Sequence, residues 1–194
     1  MFFRILALLP LVSLVTANSF VGRSSVVDPV RNDINNMTIT VTSMENACKV
    51  FQSMPTKDSA TTIMNIGIRL DLQIVSATND CPGAVVSRDD TQILVNALEN
   101  LLNNFIKPLF ILVLELKSAI EEVDFEGQFC VAIEAIITST TAFMDEVYTC
   151  GADEYKDQLG EMRDEVLAEM AQVKASYCVT VGSGGNSKVS GVEI

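Results

Sequence analysis

Val30, Ile34, Met37, Val41, Met44, Cys48 and Phe51 follow one another at alternating intervals of four and three. That spacing aligns side chains on one stripe of a helix and on no strand. Tyr155, Leu159, Met162, Val166, Met170, Val173 and Tyr177 follow nearly the same rule towards the other end, with acids and amides between them. Helices that bury a narrow seam therefore open and close the folded region. The first starts at Asp28-Pro29, an acid followed by a proline at the first helical position, and stops at Met54-Pro55. A second opens at Asp58 or Ser59, carries the stripe Ile63, Ile66, Leu70, Ile74 and Ala77, and ends at Cys81-Pro82-Gly83. Ser87-Arg88-Asp89-Asp90 caps a third that runs to about residue 122. A fourth covers about 125–149 and a fifth about 153–178. The expectation is an all-α, up-and-down bundle of about five amphipathic helices over residues 29–178, whose short links favour antiparallel neighbours.

The third helix breaks its own pattern. Leu94, Leu98, Leu101 and Phe105 form an apolar stripe opposed by Asn96, Asn100, Asn103 and Lys107. Pro108 then removes a backbone donor and predicts a kink, and Leu109 to Leu114 is apolar on every side. Ile111 stands where the polar stripe should continue before Glu115, Ser118 and Glu122 resume it. Such a segment is enclosed by neighbouring helices or presents its surplus face to another apolar body. Leu98, Leu101, Phe105, Phe110, Phe143 and Met144 are the candidate lining of a lipid-sized cavity, with Ile111 as the surface exception. The mature chain also uses methionine freely, and flexible thioethers suit either core filling or a cavity that adapts to varied acyl chains.

Residues 1–17 contain one cation, Arg4, an apolar run from Ile5 to Val15, and the ending Val15-Thr16-Ala17, the pattern of a cleaved secretory leader. The run is too short to span a hydrocarbon core of about 30 Å. Residues 18–28 read as a lead-in, and the Gly/Ser-rich 179–194 as a flexible tail. The expected protein is secreted, extracellular and not membrane-spanning. Loss of the leader removes Arg4 and no acid, taking the net charge from −12 to −13, which makes nucleic acid a poor partner. Nine of the acids fall between Asp145 and Glu169; no calcium-loop spacing accompanies them, and a solvated face accounts for them.

An exported chain with five cysteines suggests two bridges and one spare thiol. Cys130 and Cys150 lie about 30 Å apart along one helix and cannot pair with each other. Alternating helix directions put Cys81 and Cys150 at one end and Cys48, Cys130 and Cys178 at the other. The predicted pairs are Cys81 with Cys150 and Cys130 with Cys178, leaving Cys48 as a buried thiol on its apolar stripe. With no histidine in the chain, Ser-His-Asp and Cys-His catalysis, histidine metal sites and haem ligation by histidine have no basis. No CxxC supplies a metal site, the acids at helix starts serve the helix dipole, and no cofactor or catalytic residue is expected. Asn36-Met37-Thr38 is a glycosylation sequon with Asn36 off the apolar stripe.

Asp33-Ile34 in the first helix, Ile106-Lys107-Pro108-Leu109 running into Leu114-Glu115-Leu116-Lys117, and Thr138-Ser139-Thr140-Thr141-Ala142-Phe143 before an acidic last helix resemble the fungal hydrophobic surface-binding protein A family, which overlaps the cell-wall galactomannoproteins. The resemblance covers roughly residues 29–177. It implies a secreted or wall-associated helical protein that adsorbs to hydrophobic surfaces and, in some relatives, encloses fatty acids between helices. Many relatives continue into a Ser/Thr-rich stalk that this chain replaces with a short Gly/Ser tail. The energetics suit the reading: about sixteen carbons at about 0.8 kcal/mol per buried CH2 offer up to roughly 12 kcal/mol before association costs. Fatty acids and hydrophobic surfaces are thus the expected partners, with a secreted enzyme or a cell-wall component as further ones. The rival is a cell-wall structural or interaction module that self-associates through its heptad stripes.

Overall fold

The structure, a computed structural model, describes residues 25–178; the predicted leader, most of the lead-in and the tail lie outside them. It is helical, with α1 (Asp28–Ser53), α2 (Lys57–Asp80), α3 (Arg88–Leu101), α4 (Lys107–Glu115), α5 (Lys117–Glu122), α6 (Glu126–Cys150) and α7 (Lys156–Tyr177). A π-helical turn over Leu102–Ile106 joins α3 to α4, so the two form one rod. The described helices thus number six rather than five, because Leu116, with ψ near −8°, ends α4 and α5 resumes at Lys117. Local chemistry sets the ends. Thr56 and Ser59 form a reciprocal capping box for α2. Ser87 accepts from the Asp90 amide to cap α3. Asp124, at φ 55°, provides the left-handed residue that turns the chain from α5 into α6. At α1, Val27 takes the cap position and Asp28 lies within the first turn.

The rods close into a ring: α1 packs on α2, α2 on α6, α6 on α7, α7 on α4, and α3 with α4 on α1. Directions alternate along the chain as expected, but neighbours do not. Ser25, at the head of α1, bonds Asp90 at the head of α3. Gln158 bonds Glu99 and Lys107 bonds Glu165, so α7 runs parallel to the α3–α4 rod. The purely antiparallel neighbourhood predicted from short links is therefore corrected. Five rods of alternating direction cannot close a ring without a parallel pair, and the links 81–87 and 116–125 cross the bundle ends.

Both heptad stripes point inward. Val30, Ile34, Met37, Val41, Met44, Cys48 and Phe51 are buried in α1, as are Leu159, Met162, Val166, Met170, Val173 and Tyr177 in α7. Arg163–Asp145, Lys107–Glu165 and Lys174–Glu134 tie the acidic α7 to its neighbours at 2.7–2.9 Å; such exposed pairs stabilise little. By length and hydropathy, Arg88–Glu115 and Glu126–Cys150 reach membrane-span values. In this fold both are walls of the ring, and part of their apolar surplus faces its interior.

Candidate functional site

A cavity of about 120 Å³ lies inside the ring, several times what one water needs. All five rods line it: Met37 and Met44 from α1, Ile63 to Ile74 from α2, Leu98 to Val113 from the α3–α4 rod, Phe129 to Met144 from α6, and Val166 to Val173 from α7. The stretches Leu98 to Val113 and Phe129 to Met144 each advance fifteen residues, about 22 Å at 1.5 Å per residue. Five of the eight methionines, Met37, Met44, Met64, Met144 and Met170, sit in this wall. Their unbranched thioethers let the wall retreat before a guest at small cost. Among the described residues, no charged side chain lines the cavity.

One end is closed by aromatic rings. Phe129 stacks on Tyr177 at 5.6 Å and meets Phe125 edge-on at 6.3 Å. The Tyr177 hydroxyl donates to the Val113 carbonyl at 2.6 Å, fastening α7 to α4 there; burial pushes its pKa up. The Cys130–Cys178 disulfide, Cα–Cα 5.1 Å, ties α6 to the end of α7 at the same level. At the other end Ala152 donates to Thr91 Oγ1 and Val86 to the Cys150 carbonyl, both at 2.9 Å. Gly151 packs closely there: a Cβ at this position would force the end of the Leu159 side chain to shift. Between the ends, Phe110, Val113, Ala132, Ile133, Ile136 and Ile137 line the cavity while only partly buried.

Of the candidate residues, Leu98, Leu101, Phe110, Phe143 and Met144 come together around this cavity. Phe105 does not. An uninterrupted α-helix would continue Leu94, Leu98, Leu101 into Phe105, but the π-turn inserts one residue and slips the register. Leu102 and Ile106 take the inward positions, followed by Leu109, and Phe105 is left half-buried at the side. The turn stands just before Pro108, which has no N–H to continue the ladder; the dihedrals of Ile106 and Lys107 remain helical. Ile111 is 63% exposed, as a surface exception should be. Asn36 is exposed on α1.

The cysteines divide as follows. Cys130 and Cys178 are bonded. Cys48 is buried and free, its thiol pushed up to about 12 by burial and the nearby Glu45. Cys81 and Cys150 are not bonded but lie side by side; the hydrogen bond between them raises the Cys81 pKa and lowers that of Cys150. Two wall features escaped the sequence reading. Gly67 leaves room opposite Met44 and Ile136. Thr140, within the Thr/Ser run of α6, is buried in the wall.

No protein-family model matches the chain. It is 53% identical over 194 residues to a cell wall galactomannoprotein of Armillaria ostoyae, with both chains covered in full. Its fold is similar to that of AFMP4P, solved in complex with palmitic acid, at TM-score 0.73 and 15% identity, covering 78% of this chain and 99% of that one. Ligand binding domain 1 of the Penicillium marneffei MP1 protein, complexed with arachidonic acids, follows at TM-score 0.71 and 13% identity, covering 78% and 98%. At these identities the structural likeness establishes the fold alone.

Proposed function

Because the chain belongs to the cell wall galactomannoprotein family, we propose that it is a non-catalytic protein of the cell wall or extracellular space that holds a fatty acyl chain between its helices. The observation that carries this is the apolar cavity, about 22 Å along its walls and faced by all five rods. Structural neighbours solved with palmitic and arachidonic acids support the same class of ligand. The apolar wall supplies affinity through burial, and no charge or metal need take part. Thioethers, and half-buried lining residues on α4 and on α6, give the wall the freedom to admit the chain.

Self-association through heptad stripes is the weaker reading, since both stripes are already buried in the protein's own core. In the proposed reading the leader at 1–17 is cleaved on export and Asn36 carries a glycan. The test is titration of delipidated protein with a fluorescent fatty acid. Saturable binding that palmitic acid competes away is expected; uptake that does not saturate, or none, refutes the proposal.

A further inference from the structure

Among the described residues, Thr140 alone of the side chains lining the cavity carries an oxygen or nitrogen atom. The residue is 7% exposed, and its Oγ1 is buried without a hydrogen-bond partner. Its neighbours on α6 do what helical hydroxyls usually do and donate back to the preceding turn. Thr138 donates to the Glu134 carbonyl at 2.9 Å, Ser139 to Ile136 at 3.1 Å, and Thr141 to Ile137 at 2.8 Å. Thr140 makes no such bond. A buried hydroxyl left unpaired is costly, and in the wall of a cavity the missing partner is most simply an atom of the guest.

The wall also limits what that atom can be. An ionised carboxylate beside Thr140 would be stripped of water with no counter-charge, whereas an uncharged oxygen needs one hydrogen bond. Building on the acyl-chain reading above, we infer that the guest's polar end lies at Thr140 and is a single uncharged oxygen function, as in a long-chain alcohol. Its hydrocarbon then runs towards Phe129, eleven residues and about 16 Å along α6.

The test uses the delipidated full chain and displacement of a fluorescent acyl probe by 1-hexadecanol, hexadecane and hexadecanoate at about pH 7, where a carboxyl is ionised. The parent should bind the alcohol roughly fivefold more tightly than the alkane, the yield of one net hydrogen bond, and the anion more weakly than the alcohol. Thr140→Val keeps the shape but leaves the alcohol's own hydroxyl unpaired, so the preference should reverse and the alkane should bind more tightly than the alcohol; Thr140→Ser should keep the alcohol preference. A preference that survives Thr140→Val, or an anion bound by the parent as tightly as the alcohol, overturns the head-group assignment. Failure of all three to displace the probe overturns the acyl-chain reading itself.

Discussion

Gly67 sits in the middle of α2, and its backbone does not require glycine, because no glycine among the described residues has a positive φ. A Cβ there would meet Met44 Cε at 3.4 Å and Ile136 Cδ1 at 3.7 Å, contact rather than collision. Glycine inside a helix costs about 1 kcal/mol relative to alanine, so the protein forgoes stability at a point where a side chain would enter the cavity. Gly67→Ala should recover about 1 kcal/mol from helix propensity and up to about 0.8 kcal/mol from a buried methyl. For a domain of this size that raises Tm by about 2–7 °C. The same methyl takes the place of one methylene of the guest, about 0.8 kcal/mol or roughly fourfold in Kd. Gly67→Leu displaces at least two more, for a further loss of roughly tenfold or greater. Thermal unfolding of delipidated protein, paired with acyl-probe displacement, reads both effects. Stability should rise in Gly67→Ala while affinity falls. A destabilised Gly67→Ala, or a folded Gly67→Leu that binds acyl chains as well as the parent, refutes the reasoning.

Phe110→Ser should weaken acyl binding several-fold and Phe105→Ser should not, because only Phe110 faces the cavity; equal losses in the displacement assay would contradict the register slip. The Cys130–Cys178 bridge closes a 48-residue separation, worth about 4 kcal/mol by loop entropy. Replacing both cysteines with serine should therefore lower the unfolding free energy by about 2–4 kcal/mol in denaturant titrations. Peptide mapping of protein exported through an oxidising compartment should find Cys81 linked to Cys150 as well; both thiols fully alkylatable after unfolding would exclude that bridge. Cys48 has a raised folded-state pKa of about 12 against an ordinary 9.0. The unfolded chain ionises first, so the thiol's contribution is intact below pH 9 and is lost as pH rises towards 12. The stability difference between the parent and Cys48→Ala should be flat below about pH 8 and shrink from pH 9 upward; a difference independent of pH over that range would place Cys48 in water.

The fold was legible wherever a stripe held one period. The inward faces of α1 and α7 are the residues that the four-three spacing marked, and Cys130–Cys178 followed from helix directions and lengths. The third helix misled at Phe105 because a π-turn shifts the inward face by one residue, and no local propensity announces such a turn. Pro108 was a visible sign of irregularity there, without saying which residue would turn in. Ring order was hidden for another reason: short links specify chain direction, while packing around a shared interior decides neighbours. Gly67 and Thr140 were hidden because each acts by something it lacks, a side chain in one case and a hydrogen-bond partner in the other. Thr140 had a faint signal in retrospect, a hydroxyl three residues before Phe143, on the inward face of α6.

The central claim is that the interior of this ring is a binding site rather than a packing defect. Equilibrium dialysis of the delipidated protein against a labelled sixteen-carbon lipid tests it most directly, with Gly67→Leu measured alongside. The account predicts saturation at about one chain per protein and its loss in the variant. Linear, unsaturable uptake, or equal uptake by parent and variant, would contradict it.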